Sequence, residues 1–432
     1  MMHAHTRRRF LKQALGGVVA TTTVPLMTHT SRVNVGSLDR AASALGAMDP
    51  GNESFWQFVK NQFPLRPDLT LMNAANLCPS PYPVIDTVTR LTRDVDADAS
   101  FQNRAKFGAL RERARESLAR YLGADPDEIT IVRNTSEGNN TVINGLTLGP
   151  REEVVIWDQN HPSCNVAWDV RAERYGFTVK RVATPPSPTT AEELVRPFHE
   201  ALTSRTRVLA FSHVSNISGV GLPAEEICRL ARERGILTLI DGAQVFGALR
   251  VNLHAIGCDF YTGSAHKWFV GPKEAGVLYV RRERIAEHWP SNVGVGWEGA
   301  LERGAAKFET LGQRDDACVA AVGTTVAFHE AIGPDRVEQR VRALAAALKH
   351  ALKQRIPGVR FHTPTDPKLS AGVVVFAPPR GEVRQLFEAL YREHAIAGAA
   401  MGGAFAGVRL CPHIYNTMEQ VERAAEAVAE LV

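Results

Sequence analysis

A single lysine occupies a setting that disfavours its positive charge. Lys267 lies in TGSAHKWFVGPKEAG, residues 262–276, between the strand-like segments CDFY and GVLYV. Small residues lie before it, and the bulky apolar Trp268, Phe269 and Val270 follow it. Removal of an ammonium group from water favours the neutral amine, which is the form that attacks carbonyl carbon atoms. The sequence therefore predicts imine chemistry at Lys267.

A carboxylate and several hydroxyl groups follow other strand-like segments. Asp241 lies at the end of the strand-like segment ILTLIDG. A carbonyl cofactor with a pyridine ring needs such a carboxylate to keep its ring nitrogen protonated. The segment NTSEGNN follows a strand-like segment and opens a helix, so that hydroxyls and free backbone N–H groups can hold a phosphate at the helix N-terminus. Ser264 and His266 can donate hydrogen bonds from the opposite side.

The elements that position these residues alternate along the chain. Apolar segments such as EVVIWD, RVLAFSHV and ILTLIDG alternate with helical ones, which predicts a mainly parallel sheet buried on both faces. Ligands bind at the carboxyl ends of such strands. The polar residues at these predicted ends are 134–136, His161, 213–216, Asp241 and 264–267.

The pattern changes along the chain and predicts four parts. Residues 1–44 form a signal segment, and residues 45–103 form an irregular segment that contributes to the active site and to a small domain. Residues 104–325 form a large domain that begins with a helix over 104–122. Residues 326–432 form a smaller C-terminal α+β domain.

The segment DGAQVFGALRVNLHAIGCDFYTGSAHKWFVGPKEAGVLYV resembles the signature of the class V aminotransferases, which are fold-type I pyridoxal 5′-phosphate (PLP) enzymes. The resemblance covers the chain from about residue 70. It implies a large domain with a mainly parallel, seven-stranded type of sheet and a smaller α+β domain. It also implies that Lys267 binds PLP covalently, that Asp241 pairs with the ring nitrogen, and that Gln244 reaches the ring hydroxyl.

The resemblance implies roles for further residues. His161 would stack on the ring, Asn76 and Asn216 would contact the substrate, and Asn216 would also lie near the ring oxygen. Arg409, in VRLCPHIYNT, would bind the substrate carboxylate in a bidentate manner. The residues that would hold the phosphate are Thr135, Ser136, Ser264 and His266.

The resemblance also implies a homodimer whose sites are completed by the partner through residues 294–299 and 312–315. Gln313 replaces the threonine that reaches the partner subunit's cofactor phosphate in the family. The segment GVGWEG, residues 294–299, matches G-x-G-x-x-G but lacks the strand before it and the helix after it that a dinucleotide site requires.

Simpler interpretations of these residues stay open at this point. Asp241 can be a helix cap, His161 a loop residue, and Arg409 a surface arginine. Thr135 and Ser136 can be helix N-caps. The six cysteines lack metal-binding spacing, so we expect buried thiols and no metal site.

Several reactions fit this family. The loop IAGAAMGGAFAGVRL has no cysteine before Arg409, which disfavours persulfide chemistry, and HKW and GQRD resemble the isopenicillin N epimerase-like branch. We expect transamination or oxidative deamination of an amino-acid or peptidyl substrate. The alternatives are epimerisation with His161 or Tyr415 as a second acid, C–S lysis, and binding without catalysis.

The N-terminal segment resembles a bacterial twin-arginine export signal. TRRRFLKQALGGVVATTTVPLM has a basic head and an uncharged segment too short for a stable membrane anchor, and residues 42–44 offer an A-x-A cleavage site. A disordered basic tail is the alternative. Residues 1–44 carry six basic side chains and one acidic one, so the remainder has 44 basic and 45 acidic side chains. This balance leaves no basic surface for nucleic acid.

Export through the twin-arginine machinery to the periplasm should depend on the arginine pair. We predict that Arg7→Lys combined with Arg8→Lys leaves the full-length protein in the cytoplasm, whereas the unaltered chain is delivered without its first ~40 residues. Fractionation followed by N-terminal sequencing measures both. Normal periplasmic delivery of the double variant would contradict the signal assignment.

Overall fold

The computed structural model describes residues 51–432, so the predicted signal at residues 1–44 lies outside the described residues. The α-helices are α1 (Glu53–Lys60), α2 (Tyr82–Ala97), α3 (Phe101–Arg104), α4 (Lys106–Leu122), α5 (Thr135–Gly145), α6 (Pro162–Tyr175), α7 (Ala191–Ala201), α8 (Ala224–Arg232), α9 (Leu253–Ile256), α10 (Arg282–Ile285), α11 (Trp297–Leu301), α12 (Asp316–Ile332), α13 (Pro334–Arg355), α14 (Val383–His394) and α15 (Met418–Glu430). Short 3₁₀ helices span Pro126–Glu128, Gly304–Glu309, Pro367–Leu369 and Gly403–Phe405.

A seven-stranded sheet is the centre of the larger part of the fold. Its strands are β2 (Ile129–Val132), β3 (Glu153–Trp157), β4 (Thr178–Val182), β5 (Thr206–Ser212), β6 (Leu237–Asp241), β7 (Phe260–Ser264) and β8 (Gly276–Val280). Their order is β2-β8-β7-β6-β5-β3-β4, and only β8 runs antiparallel to its neighbours. Every residue of β2, β3, β7 and β8 is buried. The predicted mainly parallel, seven-stranded sheet is therefore confirmed.

A second, antiparallel sheet lies toward the C-terminus. It contains β9 (Arg360–Phe361), β10 (Val374–Ala377), β12 (Ala399–Met401) and β13 (Gly407–Leu410), in the order β12-β13-β10-β9. A short parallel pair joins β1 (Thr70–Leu71) to β11 (Ile396–Ala397), so the N-terminal segment is tied to the C-terminal region. The predicted boundary at 325/326 falls inside α12, and the domain division stays a prediction.

The N-terminal segment is more regular than predicted. Residues 45–103 were expected to be irregular because of their many prolines, but α1, α2 and α3 occupy much of the described part. In α2 the proline lies in the first turn, where no backbone N–H is needed, and Val84 and Leu91 are buried two turns apart. The predicted helix over 104–122 begins at Lys106 and ends at Gly123, whose φ of 62° is the left-handed conformation that terminates helices.

The connection between β7 and β8 carries Lys267 on a rigid turn. Trp268, Phe269 and Val270 are each 0% exposed, and Val270 has a φ of 51°, a conformation that is rare for a β-branched residue. His413 Nε2 contacts the Trp268 carbonyl oxygen at 2.7 Å, and His329 Nε2 contacts the Phe269 carbonyl oxygen at 3.0 Å.

These two histidines hold the turn through a proton on Nε2. Burial lowers the pKa of His413 to about 3 and that of His329 to about 4. At neutral pH each ring therefore donates one hydrogen bond to a buried carbonyl that water does not reach.

Among the described residues, no helix is both long and apolar enough to cross a membrane.

A buried ion pair holds β2, the strand that leads to the hydroxyl-rich start of α5. Arg115 of α4 contacts both carboxylate oxygens of Glu309, at 3.0 and 2.9 Å, and the side chains are 4% and 5% exposed. Glu309 also accepts the Ile131 N–H at 2.7 Å. Glu112 pairs with the same arginine but is 56% exposed.

We predict that Glu309→Leu lowers the free energy of unfolding by about 3–5 kcal/mol, because it removes the buried partner of Arg115, leaves only the exposed Glu112, and leaves the Ile131 N–H unsatisfied. Glu112→Leu is the matched control and should cost about 1 kcal/mol or less, because water replaces an exposed partner. Urea denaturation measures both values. Equal losses in the two variants would contradict the assignment of β2 stability to the buried pair.

Candidate active site

One cavity of about 290 Å³ brings together most of the predicted site residues. It lies where β2, β3, β5, β6 and β7 end, as the rule for parallel sheets requires. The predicted residues that line it are Asn76, Thr135, Ser136, His161, Asn216, Asp241, Ser264, His266, Lys267 and Arg409. The other lining residues are Ala75, Asn134, Asn139, Ser163 and Ala243, of which Asn134 and Asn139 belong to the predicted phosphate-binding segment and the other three were missed.

Lys267 lies in this cavity without a hydrogen bond or ion pair to its Nζ from any described residue. Burial lowers the pKa of Lys267 below its ordinary value of 10.5. The Asp241 charge opposes this shift, and the Arg409 charge adds to it. A lysine that is held near other charges and is easily neutralised can act both as a nucleophile and as a base.

Asp241 is the last residue of β6 and is 5% exposed. Its Oδ1 accepts the Ala243 N–H at 3.0 Å, and its Oδ2 accepts from Asn139 Nδ2 at 3.0 Å. These bonds fix the carboxylate in the cavity. A carboxylate so placed can pair with a protonated nitrogen of a bound ring.

The N-terminus of α5 forms an anion site. Asn134 is the N-cap, since its Oδ1 accepts the Glu137 N–H at 3.0 Å, so Thr135 and Ser136 are not the caps. The hydroxyls of Thr135 and Ser264 lie 2.8 Å apart. No described residue bonds the Ser136 N–H, which leaves a donor at the positive end of the helix dipole.

His266 faces this anion site from the end of β7. Its Nδ1 is buried and has no hydrogen-bond partner among the described residues. Burial, followed by the Lys267 charge, lowers the pKa of His266 to about 4. The neutral ring therefore offers an unused polar atom to a ligand.

His161 is the N-cap of α6. Its Nδ1 accepts the Ser163 N–H at 3.3 Å, so the neutral ring carries its proton on Nε2. Burial lowers the pKa of His161, the charges of Lys267 and Arg409 lower it further, and Asp241 opposes them. The ring is therefore uncharged at neutral pH.

Arg409 reaches the cavity from β13 and is 6% exposed. Its Nη1 donates to the Asn216 carbonyl at 2.8 Å, and its Nη2 donates to Asn73 Oδ1 at 3.2 Å. Its Nε is buried and has no partner among the described residues. Asn73, which the sequence analysis missed, therefore helps to orient a guanidinium that still has a donor for a carboxylate.

Two predicted residues do not line the cavity. Gln244 Oε1 accepts from Trp268 Nε1 at 2.8 Å, and its Nε2 donates to the Ala75 carbonyl at 3.0 Å. Gln313 bonds Arg104 and donates to the Arg314 carbonyl at 3.0 Å. Their amides are engaged by neighbouring protein groups, and their predicted contacts with the cofactor stay predictions.

A possible metal ligand set lies elsewhere. Ligand atoms of Asp125, Glu128 and His254 lie within 4.8 Å of one another. Arg282 pairs with Asp125 at 2.7 Å, and its backbone N–H donates to Glu128 at 3.1 Å. These contacts explain the cluster as an ion-pair network, and no metal is assigned to it.

Residues 71–424 of the chain match the protein family described as "Aminotransferase class-V". An isopenicillin N epimerase of Streptomyces clavuligerus is 31% identical over 394 residues, which cover 87% of this chain and 98% of that protein. A probable cysteine desulfurase of Methanothermobacter thermautotrophicus is 29% identical over 403 residues, which cover 86% of this chain and 97% of that protein.

A solved structure has a closely similar fold. It is a C-DES mutant with glycine covalently linked to its PLP cofactor, and it superimposes with a TM-score of 0.79 at 23% identity. The alignment covers 86% of this chain and 99% of that one. This agreement shows that the fold is that of the fold-type I PLP enzymes.

The lowered pKa of Lys267 predicts how the cofactor-free protein reacts with small amine reagents. Cyanate should modify Lys267 at a lower pH than the exposed Lys353, because only the neutral amine reacts. Asp241→Asn removes a charge that raises the Lys267 pKa, so its modification curve should move to still lower pH. Mass spectrometry of peptides gives both curves, and a shift to higher pH in Asp241→Asn would contradict the electrostatic analysis.

Proposed function

The chain belongs to the class V aminotransferase family and uses PLP as its cofactor, and from this premise we propose that it transfers a proton at Cα of an amino-acid or peptidyl substrate. The outcome that we propose is transamination to a 2-oxo acid acceptor, or oxidative deamination with dioxygen as the oxidant. The observation that carries the proposal is Lys267, which lines one cavity with Asp241 and Arg409 and has no bond to its Nζ from any described residue.

The residues present fit the cofactor. The unpartnered His266 Nδ1 and the unbonded Ser136 N–H match an acceptor-rich phosphate, together with the hydroxyls of Thr135 and Ser264. The fixed Asp241 carboxylate matches a protonated pyridine nitrogen. The neutral His161 ring offers a flat surface without a charge, as stacking on the cofactor requires.

The side chains divide the chemistry among them. When bound, PLP supplies an electron sink that stabilises negative charge at Cα. The Arg409 guanidinium binds and orients the substrate carboxylate, and the nearby amides of Asn76 and Asn216 can complete its contacts. The Lys267 amine takes the Cα proton at Nζ and, in transamination, would deliver it to the bound cofactor instead of Cα, a role for which its lowered pKa suits it.

The cysteines argue against persulfide chemistry. All six are buried, and among the described residues none lines the cavity. Cys78 comes near Lys267, but burial raises the pKa of its thiol to about 12. The nucleophile in a desulfurase is a thiolate, and this thiol stays protonated at neutral pH.

Epimerisation is the second candidate, favoured by the similarity to the isopenicillin N epimerases. It requires another acid besides Lys267. Tyr415 is fully buried and its hydroxyl contacts Cys78 Sγ at 3.5 Å, so it does not serve. His161 lines the cavity and remains as the acid that this reaction would use.

We also propose that the protein forms a homodimer and that it is exported to the periplasm. Trp289, Val293 and Val295 are 61%, 63% and 107% exposed, an apolar surface beside the loops at 294–299 and 312–315. A partner subunit would cover it, as expected for a symmetric homodimer.

The export proposal rests on the arginine-rich segment alone.

Product analysis in deuterated water tests the reaction. The purified protein with PLP and either a 2-oxo acid as amino acceptor or dioxygen as oxidant should convert an L-amino acid or peptide to its keto acid. An epimerase gives the inverted product labelled at Cα, and a lyase releases thiol. Lys267→Ala should lower turnover by about 100-fold or more, the contribution of a general base. Lys353→Ala, which changes an exposed lysine, is the matched control.

Borohydride reduction followed by peptide mapping locates the cofactor independently of the substrate. We expect the reduced pyridoxyl group on Lys267. Its appearance on Lys273, whose Nζ is bonded to Ser80 at 3.0 Å, would contradict the proposal. So would full turnover by Lys267→Ala, whereas an inverted product would replace transamination by epimerisation.

A further inference from the structure

The Asp241 carboxylate ends a chain of three buried side chains. Thr262 Oγ1 donates to Asn139 Oδ1 at 2.7 Å, and Asn139 Nδ2 donates to Asp241 Oδ2 at 3.0 Å. Thr262 is 0% exposed, Asn139 is 3% exposed and Asp241 is 5% exposed. Because water has little access to these groups, removal of one partner leaves the next polar group unsatisfied.

Three secondary-structure elements, β6, β7 and α5, supply the side chains that these hydrogen bonds join. Asp241 and Thr262 are register partners on the parallel strands β6 and β7. Asn139 reaches them from α5, which can approach closely because residue 138 is a glycine. A Cβ at Gly138 would lie 2.9 Å from Thr262 Cγ2. The small residue before Asn139 therefore lets the helix bring the amide between the hydroxyl and the carboxylate.

The direction of the hydrogen bonds follows from the groups themselves. The Asn139 amide must turn its NH₂ to Asp241, because the reverse orientation would place its oxygen against a carboxylate. The Thr262 hydroxyl then donates to the amide oxygen and prevents the reverse orientation. With the Ala243 N–H on Oδ1, both carboxylate oxygens accept a bond, which fixes the orientation of the carboxylate.

We propose that Asn139 and Thr262 are positioning residues that hold the Asp241 carboxylate aimed at the ring nitrogen of PLP, and so maintain the protonation of that nitrogen. The inference rests on the proposed function, which assigns Asp241 to the ring. Asn139 lines the cavity itself, whereas Thr262 does not. An effect of Thr262 on the ring therefore has to pass through Asn139 and Asp241.

The test compares Asn139→Leu and Thr262→Val with Thr262→Ser, which keeps the hydroxyl. Each protein is loaded with PLP labelled with ¹⁵N in the ring, and the ¹⁵N chemical shift is followed against pH. We expect the ring nitrogen to lose its proton at lower pH in Asn139→Leu and, to a smaller extent, in Thr262→Val. Turnover by Asn139→Leu should fall about 10- to 100-fold, the range for a hydrogen bond to a charged group.

Two further measurements separate positioning from stability. Thr262→Ser should keep the native ¹⁵N profile, and Asn139→Leu should change the profile no further in an Asp241→Asn background, because the effect passes through Asp241. If Thr262→Val fails to fold, the double variant Asn139→Leu with Thr262→Val replaces both polar groups by apolar ones of similar shape. Its profile should match that of Asn139→Leu.

The outcomes distinguish this inference from the proposed function. Native ¹⁵N profiles in Asn139→Leu and Thr262→Val, with PLP reduced onto Lys267, would overturn the positioning role and leave the proposed function intact. A wild-type protein in which PLP is not attached to Lys267 would overturn both. An equal change in Thr262→Ser and Thr262→Val would show a packing effect and also overturn the positioning role.

Discussion

Desolvation of the Lys267 ammonium is the constraint on which the site depends. The turn that follows the lysine is completely buried, so its carbonyl groups need partners from the protein. His329 and His413 supply them from α12 and from the segment after β13, which lie far apart in the sequence. The same packing that removes water from the lysine thus joins the seven-stranded sheet to the C-terminal region that carries Arg409.

The charges around the lysine define what the cavity can accept. Among the described residues that line it, Lys267 and Arg409 are the basic residues and Asp241 is the acidic one, while burial keeps His161 and His266 neutral. The N-terminal end of the α5 helix dipole adds positive potential to the cavity. A phosphate and a carboxylate can both be bound there, and Asp241 is left for a cationic ring nitrogen.

The sequence was sufficient where strand order alone determines position. Residues that follow buried parallel strands meet at one sheet edge, and this placed Thr135, His161, Asp241 and Ser264 in a common cavity. It was insufficient where a contact depends on side-chain orientation across elements. The sequence analysis treated Asn139 only as part of a phosphate-binding segment, although its amide also reaches Asp241. It also missed the helix α2, because the prolines at its start suggested a loop.

Gln244 is another residue whose contacts depend on side-chain orientation across elements. The family resemblance placed it near the cofactor, and in the structure its amide accepts from the indole N–H of Trp268 and donates to the Ala75 carbonyl. The glutamine therefore joins the buried turn to the N-terminal segment that carries Asn76. Because Asn76 lines the cavity on that segment, the hydrogen bonds from Trp268 to Gln244 and from Gln244 to Ala75 connect the turn after Lys267 to the backbone beside Asn76.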